Sequence, residues 1–538
     1  MIPIQYRNDV LARTVAEVDP QPSSLDEIVV LLEVLGIAKS RNFDVFRSSG
    51  ASEEVMQLVP FYSRSNESNR GEENRRSRVR QKLRPFVSGM IFNAVWSMML
   101  AALFLGGISL WAAISPQSAG LISAPVAAAI TIGVVVSFIA TGGIEQVFSL
   151  RISYYRLQEN SPLANKEAIR GYMLGFPSLI VAAALLYLAI VGWHLLPSDL
   201  GTYTLMFLVL LGTYRILAIP LYAYKKFGLI TVGLCVALLS LYFAFSFLHT
   251  RIASVNIGIL TAQVVGLAIL DVITAAECAF GVLRGKLNVG REERNLPFYT
   301  APSNLKNVKP PRLSVVFLEV FPLFVFGTMF YVFLFLDRLT SWIPAGGSSV
   351  LVSGFRYQYG ADVALLILIP MSGVIYYFTH SLNRLLKERS QETRLVDQKL
   401  VRGPVSRYVV KMLAGIGSAA LLSTLVLWQF APEIVRMIRG GPETLLALRI
   451  SLVAYSIFGV FMATNFISFS FRRYTVPTLL LFVGALTELA LNTMSTHLTS
   501  SWNPVYGLLC AVVVVTLIGT AYTAGIVRRI QYFHYSSF

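Results

Sequence analysis

The sequence has few charged residues and almost no cysteine. Of its 538 residues, 14% are charged and 55% are hydrophobic. A soluble chain of this length would form several domains and carry far more charge. Its three cysteines, Cys235, Cys278 and Cys510, are scattered through apolar stretches. This distribution predicts neither a disulfide framework nor a metal site.

The common catalytic and nucleotide-binding motifs are also missing. The sequence contains no GxxxxGK[ST] phosphate loop, no HExxH and no paired-cysteine motif. The N-terminus lacks a basic head followed by a short apolar core, so no secretory signal is expected. Five histidines never cluster and lie near the ends of apolar stretches, where interfacial side chains are favoured over ligands: His194, His249, His380, His497 and His534. We therefore expect no enzyme, no cofactor and no bound metal.

Twelve apolar stretches of about 20 or more residues dominate the rest of the chain, and each is long enough to span a bilayer as a helix. The predicted spans are 88–114, 121–148, 171–195, 203–224, 227–248, 255–283, 314–343, 362–386, 407–430, 444–470, 475–496 and 504–529. The fold class predicted is an all-α membrane protein of two six-helix bundles.

The basic residues predict the orientation of these spans. With both termini in the cytosol, 38 of the 45 Lys and Arg lie on the cytosolic side, and Arg215 lies inside a span. This positive-inside asymmetry predicts a multi-pass protein of the inner (plasma) membrane. Cytosolic loops facing the anionic lipid bilayer account for the net charge of +16, so nucleic acid is not an expected partner.

The spans divide the chain into four parts. Residues 1–85 form a cytosolic extension, 86–283 the first six-helix bundle, 284–313 a cytosolic loop and 314–538 the second bundle. The extension contains a capping box at Ser24–Glu27 that opens a short helix, followed by a flexible basic linker. That helix either packs on the protein's own cytosolic face or docks a soluble partner.

Ionisable side chains inside the spans are the candidate substrate or ion pathway, because a charge in the bilayer is unfavourable unless it is paired or hydrated. The candidates are Glu145, Arg215, Asp271, Glu277, Glu319, Asp337 and Glu488. Glu145 and Glu319 lie near the cytosolic ends, within snorkelling reach of water. Arg215 either forms a buried ion pair with Asp271 or Glu277, or faces a hydrated cavity. Glu488 has no partner in its own span, which favours the cavity.

Four prolines inside spans are candidate hinges: Pro177, Pro220, Pro322 and Pro370. A proline interrupts the helical hydrogen-bond ladder and permits a bend. A static kink and a moving hinge are equally compatible with this pattern.

Four short segments resemble the membrane exporters of the Pel exopolysaccharide system (the PelG family), in the multidrug/oligosaccharidyl-lipid/polysaccharide (MOP) flippase superfamily. They are Thr141–Arg151, Phe330–Trp342, Ile369–Pro370 and Asn465–Arg473. The first has Thr-Gly, an aromatic and a basic residue; the second has Tyr, Asp-basic and Trp. The third is an Ile-Pro within an apolar helix, and the last joins Asn and aromatics to paired arginines. The resemblance covers residues 86–538, and it departs from the family in the long extension and at Thr379–Arg384.

This resemblance implies two six-helix bundles that alternate between inward- and outward-open states and export a cationic, partly deacetylated amino-sugar polymer. It also implies a cytosolic glycosyltransferase and small membrane subunits of a synthase complex as partners. The alternative is a flippase of the same superfamily for a lipid-linked oligosaccharide or a small molecule. A glycan polymerase is disfavoured, because the longest outer loop, 344–361, has Arg356 as its only charge.

Overall fold

The protein is described here by a computed structural model. The structure describes residues 86, 124–157, 161–193, 196, 198–224, 226–249, 255–279, 313–341, 355–392, 399–437, 440–498 and 504–529. These residues belong to one compact unit, Pro85–Leu287 with Ser303–Phe538. The complementary unit, Met1–Arg84 with Asn288–Pro302, lies outside the described residues, as do the predicted capping box and predicted span 1.

Five helices make up the described part of the first half. They are α1 (Ala124–Leu157), α2 (Ser161–Trp193), α3 (Ser198–Ala223), α4 (Phe227–His249) and α5 (Val255–Cys278). Helix α1 packs against α2 and α3, and α5 packs against α3 and α4. Helix α3 also packs against α2 and α4, so it contacts every other described helix of this half.

The second half is described by seven helices. They are α6 (Leu313–Ser341), α7 (Phe355–Ala364), α8 (Leu368–Glu392), α9 (Lys399–Met437), α10 (Pro442–Ser470), α11 (Thr475–Leu498) and α12 (Val505–Arg528). Helix α10 packs against α7, α8, α9 and α12, whereas α11 packs against α6 and α12. The described residues contain no strand.

Ten membrane-crossing segments are present among the described residues, judged by length and apolar composition. They coincide with predicted spans 2–4 and 6–12, and α4 coincides with predicted span 5. The chain is thus an all-α, multi-pass membrane protein, as predicted from the sequence. The cytosolic placement of the termini and the four-part division of the chain stay predictions.

The helices continue past the predicted spans. Segments 149–170 and 387–406, which lie between predicted spans and were expected to be loops, are largely helical, since only 158–160 and 393–398 separate the flanking helices. Ion pairs explain the extension of α1 and α2: Arg151 Nε lies 3.0 Å from Glu167 Oε2, and Arg170 Nη1 lies 2.8 Å from Glu167 Oε1. The predicted spans missed these helical ends because the side chains there are polar and a span was predicted from apolar length alone.

Helices α2 and α9, the third predicted span of each half, are the least enclosed of the ten described membrane-crossing segments. In each, 22% of the apolar segment is buried. Large apolar side chains such as Met173, Ile180, Leu421 and Leu422 are exposed on them. This apolar surface is suited to contact lipid.

A short 3-10 turn, Leu365–Ile367, separates α7 from α8. Pro370 accounts for it, because the proline ring clashes with the carbonyl four residues earlier, at Leu366, and removes one donor. A 3-10 turn in the middle of a membrane span is a typical site of bending. The other hinge candidates, Pro177, Pro220 and Pro322, lie inside helices that stay continuous.

The two halves touch where α1 crosses α6, at three glycines. A Cβ atom on Gly142 would lie 2.6 Å from the Gly327 carbonyl oxygen, and one on Gly143 would lie 2.5 Å from that of Phe324. Backbone therefore meets backbone at this crossing. Small residues drive such close helix packing in lipid, where apolar side chains alone give no preference for protein over membrane.

We expect Gly142→Ala to destabilise the protein by about 1–3 kcal/mol, because the added methyl overpacks a contact made of backbone. The matched control is Gly417→Ala in α9, where a Cβ would meet nothing within 4 Å. There the higher helix propensity of alanine should leave stability unchanged or raise it by at most about 1 kcal/mol. Thermal unfolding of the purified proteins in one detergent measures both changes; equal shifts would contradict the close crossing.

Candidate transport pathway

A buried ion pair lies beside the crossing of the two halves. Arg215 Nη2 of α3 lies 2.5 Å from Glu145 Oε2 of α1, and both residues are almost fully enclosed. The Arg215 guanidinium carbon is 4.4 Å from the ring centre of Phe138 and 4.7 Å from that of Tyr331. Tyr331 belongs to α6, so this charge is held by both halves of the protein.

This partner differs from those predicted. One of the two alternatives for Arg215 was an ion pair with Asp271 or Glu277 on the sixth span, and Glu145 was predicted to lie within snorkelling reach of water. The carboxylate at ion-pair distance is that of Glu145, 70 residues earlier in the chain and only 5% exposed. Phe138 and Glu145 are two helical turns apart, so α1 presents both on the face that meets Arg215.

The sixth-span carboxylates have different surroundings. Asp271 of α5 is 8% exposed, and its Oδ1 atom accepts no hydrogen bond from the described residues. Glu277, six residues later, is half-buried. The separation points the two side chains to different faces of α5. Asp271 is therefore a buried acid without a described counter-charge, which is energetically unfavourable inside a membrane protein.

The second half contains a larger charged cluster, formed by Asp337, Arg338, Asp362, Tyr455 and Glu488, which we call the second-half cluster. Arg338 is fully buried. Its Nη1 lies 2.8 Å from Asp337 Oδ1 and donates to the Tyr455 hydroxyl at 2.8 Å. Its Nε donates to Asp362 Oδ1 at 2.8 Å. Four helices, α6, α7, α10 and α11, contribute to this cluster.

With Glu488, the acidic side chains of this cluster outnumber its basic ones. Its side chain is completely buried, and neither carboxylate oxygen has a hydrogen-bond partner among the described residues. It lies within electrostatic reach of Asp337 and Arg338. Three carboxylates thus share one guanidinium in a region of low dielectric, where unbalanced charge is strongly unfavourable. The cluster is suited to attract positive charge.

Asp362 was not recognised from the sequence as a functional candidate. It is the first residue of predicted span 8, a position where an acidic side chain is expected at the membrane–water interface. Tyr357 of the same helix donates a hydrogen bond to Asp337 Oδ2. The available signal was the pairing of an aspartate at the start of one predicted span with Asp337–Arg338 at the end of the preceding one.

The remaining candidates are distributed as follows. Glu319 lies on α6, but its side chain is outside the described residues. No group of three His, Cys, Asp or Glu side chains in the described part of the chain is arranged to hold a metal ion. The structure therefore brings together Glu145 with Arg215, and Asp337 with Glu488, and leaves Asp271 and Glu277 on separate faces of α5.

Solved structures of MATE transporters resemble this fold. A MATE crystal structure in the bent conformation aligns with a TM-score of 0.57 at 13% identity, covering 85% of this chain and 96% of the other. The outward-facing conformation of a multidrug resistance MATE family transporter of the MOP superfamily gives 0.53 at 12% identity, covering 84% and 98%. A mutant of the Vibrio cholerae MATE transporter VcmN gives 0.53 at 14% identity, covering 85% and 97%.

No protein-family model matches the sequence, and no curated protein matches it significantly. At these identities the comparisons establish the fold alone: a MATE-like membrane transporter fold, as the MOP superfamily resemblance implies. The finer resemblance to Pel exporters stays a prediction.

We expect Arg215→Met to destabilise the protein by about 3–5 kcal/mol, because it leaves the Glu145 carboxylate buried without its counter-charge. Adding Glu145→Gln to this variant should restore much of the stability, since the orphaned charge is removed. Thermal unfolding of the single and double variants measures both effects.

The control for this experiment is Arg436→Met. Arg436 forms an ion pair with Glu433 at 2.9 Å on the surface, where the two side chains are 76% and 63% exposed. An exposed pair contributes about 1 kcal/mol or less. A stability loss in Arg215→Met no greater than that of the control would contradict the ion pair in the membrane.

Proposed function

We propose that this protein is an inner-membrane transporter that exports a polysaccharide through a pathway between its two halves, and that its substrate is a cationic amino-sugar polymer. The observation that carries the proposal is the pair of buried acids without described hydrogen bonds, Asp271 in the first half and Glu488 in the second. The transporter fold supports the class. The excess of carboxylates supports the sign of the substrate's charge.

The charge balance is similar in the two halves. Arg215 of the first half has Glu145, Asp271 and Glu277 as membrane-embedded acids in its bundle, and Arg338 of the second half has three acids in its cluster. Each half therefore contains more acidic than basic side chains in its interior. A polymer bearing ammonium groups would relieve this imbalance at successive positions, which a neutral polymer cannot do.

The alternative function is that of a MOP-type flippase for a lipid-linked oligosaccharide or a small molecule. The likeness to multidrug MATE transporters is the observation that favours it. If the proposal for polymer export is right, a cytosolic glycosyltransferase and small membrane subunits are the expected partners. Residues 1–85 would then supply a docking element for them.

Deletion of the gene separates the two functions. In a strain that keeps its polysaccharide synthase, loss of this protein should abolish secreted polymer, and complementation should restore it. Unchanged secreted polymer in the deletion strain would overturn polymer export and favour the flippase for a lipid-linked oligosaccharide or a small molecule.

We expect Asp271→Asn and Glu488→Gln to insert and fold normally and to reduce polymer export at least tenfold, because each removes a carboxylate from the pathway and keeps its shape. Secreted polymer, quantified against the amount of protein in the membrane, measures the effect. The control, Glu433→Gln, neutralises an exposed acid and should export normally. Normal export by both pathway variants would refute their assignment to substrate contact.

A further inference from the structure

The short helix α7 joins the second-half cluster to the first half of the protein. Three of its side chains make polar contacts: Tyr357 with Asp337, Asp362 with Arg338, and Gln358 with Thr131 of α1. Gln358 and Asp362 are four residues apart, so they lie on one face of the helix. Gln358 lies beside the Asp362 carboxylate, one helical turn earlier on α7.

Arg338, Asp362, Gln358 and Thr131 follow one another from the second half to the first, and we call this series the polar chain. Its members are almost fully buried, with exposures of 0%, 5%, 3% and 2%. It begins at the charged centre of the second half and ends on the first half. Gln358 therefore lies between the charges around Arg338 and the first half of the protein.

The polar chain and the glycine crossing hold the halves together in different ways. Thr131 lies eleven residues before Gly142 on α1, which is about 16 Å along a helix. The glycine crossing is backbone against backbone, so the helices there have little freedom to shift. The Gln358–Thr131 bond joins two neutral side chains, and water or a substrate hydroxyl can replace it with little net change in hydrogen bonding. The crossing is suited to a pivot and the bond to an opening contact.

Helix α7 is placed to follow the second half when that contact opens. A Cβ on Gly360 would lie 2.8 Å from the Leu448 backbone nitrogen, so α7 is seated closely on α10. The 3-10 turn and Pro370 separate α7 from α8 and permit it to change direction. Motion of the second half therefore carries Gln358 away from Thr131 rather than stretching α7.

We propose that the Gln358–Thr131 contact is a lock between the two halves, which opens during each transport cycle, and that Asp362 sets its strength. This inference rests on the proposed transport function. It assigns to Gln358, Thr131 and Asp362 a role in conformational change rather than in substrate contact.

The first test locks the contact covalently. Thr131→Cys and Gln358→Cys are combined in a chain whose own cysteines are changed by Cys235→Ser, Cys278→Ser and Cys510→Ser. Serine at 278 keeps a donor for the Leu217 carbonyl, which Cys278 contacts at 2.9 Å. A short reducible thiosulfonate linker then joins the two thiols. We expect polymer export to fall at least tenfold on cross-linking and to return on reduction, which also shows that the variant folds.

The matched control joins two positions within the second half. Thr424 of α9 and Ser456 of α10 are hydrogen-bonded and buried, like Thr131 and Gln358. Cross-linking Thr424→Cys to Ser456→Cys in the same background should leave export unchanged. Normal export from the fully cross-linked Thr131–Gln358 variant would overturn the lock.

The second test requires no substrate. Spin labels on Ile132→Cys of α1 and Leu446→Cys of α10 leave Thr131, Gln358 and Asp362 in place. In protein embedded in lipid nanodiscs they should give two distance populations, whereas labels on Leu425→Cys and Leu446→Cys, both in the second half, should give one. Asp362→Asn should increase the separated population of the 132–446 pair at least twofold. A single distance between positions 132 and 446 would overturn the lock even if polymer export is established. Two populations in a protein whose deletion leaves secreted polymer unchanged would support the lock and refute the export function.

Discussion

The removal of charged groups from water is the constraint on which this structure depends. A guanidinium inside a bilayer is tolerated only when carboxylates and polarisable rings surround it, and such groups must come from several helices. Arg215 is held by α1, α3 and α6, and Arg338 by α6, α7 and α10. Each arginine therefore fixes the mutual position of three helices. Helix α6 takes part in both sets, so the two halves are linked through one element.

Charge explains which helices meet, and close packing explains how near they come. Lipid tails are as apolar as leucine, so helices in a membrane gain little from apolar contact alone. At Gly142 and Gly327 the absence of side chains permits direct backbone contact. Beside it, the rings of Phe138 and Tyr331 stack with their centres 5.1 Å apart and cover the buried guanidinium. Steric fit and charge burial thus act at the same place.

The sequence predicted the spans well because two strong physical rules govern them. Apolar length sets the number of crossings, and every predicted span that falls within the described residues is a helix. The sequence predicted the candidate site less completely, because it did not show which side chains meet. The pairing of Arg215 with Glu145 joins positions 70 residues apart, and nothing in local spacing chooses it over Asp271. Asp362 was overlooked because its importance arises only when α7 folds back beside the end of α6.

The same limitation explains the helices beyond the spans. Hydropathy ends a predicted span where polar residues begin, but Arg151 and Glu167 pair across α1 and α2 and keep both helices folded outside the apolar region. Tertiary contacts of this kind are invisible to a window of sequence. The burial of Arg215, Asp271 and Glu488 was predictable, whereas the burial of Glu145 and the partner of Arg215 were not.

The exposed apolar surfaces of α2 and α9 couple the protein to the thickness of the surrounding lipid bilayer. Helix α9 has 39 residues, about 58 Å of helix, which is far longer than the roughly 30 Å hydrocarbon core. Any rotation of one half against the other changes the tilt of its outer helix, and tilt is how a long helix matches the thickness of its membrane. We therefore expect acyl-chain length to shift the balance between the conformations of this protein without occupying a binding site.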